Sequence, residues 1–403
     1  MTTPPPSPGG NPFEMLFSQL GRMLSTAGPV NWELAAQFAQ WTAAEGTDPG
    51  NVDPLERIRL EELVRVADLN VTHVTGLSTS TTGRSVSVRP VTRVGFAAAT
   101  LEAWKPLLAA LAEALQPRGG PDGTPGNPPE GLTPEETATG LGQMLGPLLP
   151  GLQSAFMGMQ CGSMVGSVAQ RALGQYDLPI PRPAGDELLV VTDNLAAFTS
   201  DWSLPADEVR LWVCVSDVAH HAVLGRPHVR AALDEMLISY VSGFEPGGAA
   251  LEERLADMDP SDPEAIQSVL GDPGALLGEM QTDRQRSLLP RLEALVAVIE
   301  GYVDHVVDQA GRRLISSYGP LTEALRRRRV ERGQGERMVE RLLGLGLGQD
   351  QYDRGTAFVA GVLERGGDTA LSRLWTDPQG LPTPSELDAP GLWLERIDLP
   401  PAG

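Results

Sequence analysis

The segment LWVCVSDVAHHAVLG, residues 211–225, constrains this chain most. Pro205, Asp207 and Glu208 open a helix, with proline near the first turn and acids near the positive end of the dipole. Gly225 and Pro227 close it. Residues four apart share a helix face, so Trp212, Ser216 and His220 line up, and Asp217 and His221 line up beside them. A second helix, His228 to Ser242, follows directly.

The rest of the chain reads as mainly α with a small β component (α+β). Helices are expected over 13–25, 32–44 (capped by Asn31), 54–66, 95–115, 281–317, 320–343 and 351–365. Residues 70–91 are rich in Val, Thr and Ser with Gly76 and Gly83 as punctuation, and read as a β-hairpin or two short strands. ELLVVT, 187–192, reads as one short strand. Thr133 with Glu136 makes a capping box. The small-residue apolar stretch 141–173, broken by Pro147 and Pro150, reads as a tightly packed buried helix pair rather than a membrane span.

At 403 residues the chain is large for one domain. The expected layout is a disordered Thr/Pro/Gly-rich tail (1–12), an N-terminal helical region with a β-hairpin (13–116), a Gly/Pro-rich loop (117–134) and a second helical region (135–395) packed against the first as one integrated domain. Residues 377 onward form a Pro-rich closing segment.

Charge limits the partners. Lys+Arg number 31 against 52 Asp+Glu, a net charge of -21. Phosphate backbones and anionic membranes are bound by clustered cations, so neither nucleic acid nor a membrane is expected as partner. The basic run Arg326 to Arg329 with Arg332 reads as a solvated helix face paired with Glu331, Glu336 and Glu340. Cys161 and Cys214 sit in apolar runs and read as buried and inert. No basic stretch followed by an apolar run opens the chain, so the expected address is cytoplasmic.

Metal helices of the H-E-x-x-H type place two histidines at i and i+4, with the glutamate between them as general base for a bound water. The same frame here is Ser216-Asp217-Val218-Ala219-His220. The second histidine is present, the first is Ser216, and the base position holds Asp217, one methylene shorter. Downstream, EGYVDH supplies Glu300, Asp304 and His305, and an E-x-x-x-D pair is how one class of such sites provides a third ligand and its supporting partner.

Several segments carry a resemblance: GPVNWELAAQFA (28–39), RALGQYDLPIP (171–181), LWVCVSDVAHHAVLGRPHVR (211–230), IEGYVDHV (299–306) and QYDRGTAFVAGVLERGGDTALSRLWTDPQGLPTPSEL (351–387). Together they resemble a zincin-like metallopeptidase and hydrolase family of high-GC bacteria, a group associated with deazaflavin-cofactor biosynthesis. The resemblance implies a zincin-like scaffold. It makes His220 a zinc-ligand position, Glu300 the third ligand and Asp304 its partner, with His221 and His305 alongside. Ser216 stands where the first ligand belongs and Asp217 where the base belongs.

A hydroxyl is a poor zinc ligand beside imidazole or carboxylate. An aspartate also draws the base back by about 1.5 Å, one carbon–carbon bond, and positioning errors of ~1 Å cost ~100-fold in rate. The sequence therefore reads as a catalytically inactive member, without a cofactor, that binds a protein or small ligand in the ancestral cleft. In the plainest form of that reading His220 hydrogen-bonds Glu300 with no metal between them. The alternative is an active zinc-dependent hydrolase or peptidase using His220, Glu300 and a substitute ligand. A shifted site of Asp217, His221 and Glu300 is one form of it.

Overall fold

The first three described helices start where the sequence supplies a cap. The Asn31 side chain accepts from Leu34 N–H and opens α1 (Trp32–Ala44). Asp53 caps α2 (Pro54–Thr75), and Thr92 caps α3 (Arg93–Ala114). The computed structural model describes residues 28–46, 50–116, 149–245 and 281–398. The expected tail (1–12), the helix at 13–25, the loop 117–134, the Thr133 capping box and the acidic stretch 246–278 lie outside these.

Strand β1 (Ser87–Val91) precedes α3. Then come α4 (Leu149–Ala169), strand β2 (Glu187–Val191), α5 (Thr192–Asp201), α6 (Ala206–Leu224) and α7 (Pro227–Val241). The long α8 (Asp283–Leu314) follows, then α9 (Tyr318–Val330), α10 (Gln334–Leu343) and α11 (Gln349–Ser372), which bends at Gly367. Two 3-10 turns, α12 (Pro384–Leu387) and α13 (Pro390–Asp398) close the described chain.

The expected hairpin at 70–91 is corrected. Residues 70–75 are the last turns of α2, where Val71 and Thr75 are buried, so packing overrides the β-branched preference. Gly76 ends that helix at φ 65°. Among the described residues the sheet has two strands, β1 and β2, paired in parallel from Ser87↔Glu187 to Val91↔Val191. The stretch 320–343 is also two helices, separated at 331–333.

Small residues set the helix spacing. In α4, a Cβ added at Gly158, Gly162 or Gly166 would lie 2.3, 2.3 and 2.8 Å from the carbonyls of Asn31, Ala35 and Ala39 of α1. In α8, Gly301 meets Gly355 of α11 backbone to backbone, since a Cβ on Gly355 would lie 1.9 Å from the Ala297 carbonyl. Among the described residues one helix, α3, is long and apolar enough to cross a membrane, and ten of its residues, Trp104 and Leu108 among them, are buried in the core.

Candidate functional site

Helix α6 runs through the protein interior. Every residue from Leu211 to Leu224 is buried, including Ser216, Asp217, His220 and His221. Helix α8 crosses it and carries Glu300, 4% exposed. These two helices bring together residues 80 positions apart: His220 Nε2 lies 3.1 Å from Glu300 Oε1. The other ring nitrogen, Nδ1, faces the Ser216 carbonyl at 2.9 Å. Burial works against the imidazolium, but Glu300, Asp217 and the Ser216 carbonyl together outweigh it and hold the His220 pKa above its ordinary value. Both ring nitrogens thus face oxygen acceptors, one a carbonyl and one a carboxylate.

Asp217 points elsewhere. Its Oδ2 accepts from Gln175 N–H at 2.7 Å and its Oδ1 from Tyr176 N–H at 3.2 Å. Its carboxylate rests against Gly174, where a Cβ would lie 2.4 Å from Oδ2. Burial and nearby Asp177 push its pKa up to about 7, against the two N–H donors and His220, which favour the charged form. Such a pKa suits general acid–base work. Both of its oxygens, however, accept from the backbone of residues 175 and 176.

His221 belongs to a third cluster. Its Nδ1 faces Tyr176 Oη at 3.1 Å and its Nε2 faces Asp186 Oδ1 at 3.4 Å. Burial pulls the His221 pKa down, with Asp186 only partly offsetting it. Asp186 sits in a cradle formed by the sequence STSTTG at 78–83. It accepts from Thr81 N–H (2.6 Å), Thr81 Oγ1 (2.7 Å), Thr82 N–H (3.0 Å), Ser80 Oγ (3.1 Å) and the Thr82 hydroxyl. Burial opposes ionisation there, but the donors from Thr82 and Thr81 hold the carboxyl well below its usual range.

Asp304 pairs with Arg329 through two bonds of 2.7 and 2.8 Å. Arg329 in turn lies over the Tyr352 ring at 4.5 Å. His305 is not drawn into this group, since the charges acting on it are Asp368 and Asp308. Asp217, His221 and Glu300 therefore have three different sets of partners. Among the described residues no group of three or more His, Cys, Asp or Glu side chains is placed to hold a metal ion. The donors that converge are one imidazole and one carboxylate, short of the three protein ligands of a catalytic zinc.

Ser216, His220, Glu300 and Trp212 line a cleft of about 50 Å³. Tyr176, Asp177 and Leu178 form one wall, and Leu325, Arg328 and Arg329 of α9 lie on another. The basic run is thus only partly a solvated face: Arg326 and Arg327 are exposed, while Arg328 and Arg329 turn to the cleft. Of the expected partners Glu331, Glu336 and Glu340, Glu340 pairs with Arg332, whereas Glu336 pairs with Arg171, outside the run. Sequence reasoning missed Tyr176, Asp186 and Arg328, although Tyr176 lies in one of the segments that carried the resemblance.

A family profile described as zincin-like metallopeptidase matches residues 30–394. The chain belongs to this family. Its fold is similar to that of a crystal structure from Chloroflexus aurantiacus, described as a candidate hydrolase with a novel fold. The TM-score is 0.59 and the identity 23%, covering 93% of this chain and 100% of that one. That identity speaks to the fold alone. No match is found among curated proteins. Of the residues expected as ligands and base, His220 and Glu300 meet, while Asp217 faces the backbone of residues 175 and 176.

Proposed function

We propose that this zincin-like protein is not a peptidase and acts by binding a protein partner or small ligand in the cleft beside His220 and Glu300. The observation that carries this reading is the engagement of Asp217. Its two oxygens bind the Gln175 and Tyr176 N–H groups, so the residue at the base position serves as an anchor for the 174–176 turn. The Ser216 hydroxyl at the first ligand position adds to it. The acidic balance directs the search toward proteins and small ligands rather than nucleic acid or membrane, and the cytoplasm is the compartment we assign.

One observation favours the alternative of an active zinc hydrolase. A His220–Glu300 separation of 3.1 Å is close to that of two donors sharing a tetrahedral zinc. The test is metal content by mass spectrometry of the untagged wild type beside Ser216→His and Ser216→His/Asp217→Glu. The proposal expects little zinc in wild type and about one per chain once the third ligand is supplied. Stoichiometric zinc in wild type, with peptide or ester hydrolysis that a chelator removes, would favour the alternative.

A further inference from the structure

We propose that helix α9 is a lid over the His220–Glu300 cleft, latched shut by the Arg328–Asp177 ion pair. A cleft of about 50 Å³ holds little more than water, whereas small-molecule sites run to roughly 300–1,000 Å³. Any ligand or partner that reaches His220 and Glu300 requires the walls to separate.

Two ion pairs hold α9 over the cleft: Arg329–Asp304 ties it to α8, and Arg328–Asp177 is the pair that ties it to the 174–178 wall. Arg328 of α9 donates from Nη2 to Asp177 Oδ2 at 2.6 Å, and the same nitrogen donates to the Arg171 carbonyl. Both side chains of the pair are 17% exposed, so it is only partly screened by solvent.

The 174–178 wall is fixed. Asp217 holds the Gln175 and Tyr176 amides, and His221 faces Tyr176 Oη. Gly174 bridges to Val190 of β2, and Asp177 itself accepts from Leu173 N–H. Helix α9 is held more lightly. Three of its 13 residues are buried, Leu321, Ala324 and Leu325, against 15 of 19 in α6. Elements with few buried apolar side chains open first. Its N-terminal end is tied by Ser316 and Ser317 to Glu208, which leaves that end as the hinge. At the other end Arg329, beside the latch, makes two bonds to Asp304 of α8, and these part together with Arg328–Asp177 when the lid opens.

The inference rests on the cleft being the binding site, but amide exchange reports the lid itself, whatever the cleft binds or whether it binds zinc. The experiment is hydrogen–deuterium exchange of the full chain as wild type, Arg328→Gln and Arg326→Gln, the last altering an exposed arginine of the same helix. Carbethoxylation of His220 is mapped alongside. Wild-type α9 is expected to exchange through a local opening well ahead of α6. Arg328→Gln is expected to speed α9 exchange about tenfold or more, by loss of charge-assisted bonds. It should leave α6 and β2 unchanged and raise His220 modification in step. Arg326→Gln is expected to match wild type. The proposal is overturned if wild-type α9 is protected as strongly as α6, or if Arg328→Gln leaves its exchange unchanged. It is also overturned if α9 opens without exposing His220. Should Arg328→Gln fail to fold, the wild-type comparison of α9 with α6 still decides.

Discussion

His220 Nε2 and Glu300 Oε1 lie 3.1 Å apart between two crossing helices, and both side chains are at least 94% buried. A buried pair of this kind destabilises strongly when one partner is removed, because the other is left without its match. Glu300→Ala is expected to cost about 3 kcal/mol, and Glu300→Gln less because an acceptor remains. Denaturant midpoints of the two variants check this. Equal stability of Glu300→Ala and wild type would contradict the pairing.

Asp186 gives a pH dependence of defined sign. Its folded pKa lies below the unfolded one, so the stability it contributes is present above the ordinary carboxylate range and is lost as pH falls through that range toward the folded value. Asp186→Asn is expected to cost about 2 kcal/mol at neutral pH, through lost charge-assisted bonds. It should also flatten the acid side of the stability curve. Thermal melts from pH 7 down to pH 3 test both statements.

The Gly301–Gly355 crossing positions Glu300 by fixing α8 against α11. Since a Cβ on Gly355 would lie 1.9 Å from the Ala297 carbonyl, Gly355→Ala cannot be absorbed by a side-chain rotation. It is expected to cost about 3 kcal/mol, seen as a lower melting temperature. Gly391→Ala is the control, because nothing lies within 4 Å of its added Cβ.

Local signals were legible in the sequence. Asn31 caps α1 where expected, and Trp32–Ala44 has the expected bounds. The small-residue spacing in α4 foretold close helix approach. The frame of residues 216–220 with Glu300 marked two side chains that do meet. Long-range relations were hidden. The β1–β2 pairing joins segments 100 residues apart in parallel, and no turn signature announces such a pairing. The β-branched end of α2 misled because burial, not propensity, sets its conformation. The destination of Asp217 depended on backbone amides at 175 and 176, which carry no sequence label. The role of Arg328 depended on Asp177, 151 positions away.

The central claim is that the site offers two converging donors and a base position turned aside. Its most direct test is the zinc content of the wild-type chain after loading with excess zinc and desalting, measured beside His220→Ala. The expected result is well below one zinc per chain for both proteins. One tightly held zinc per wild-type chain, lost in His220→Ala, would contradict the account and make His220 and Glu300 working ligands.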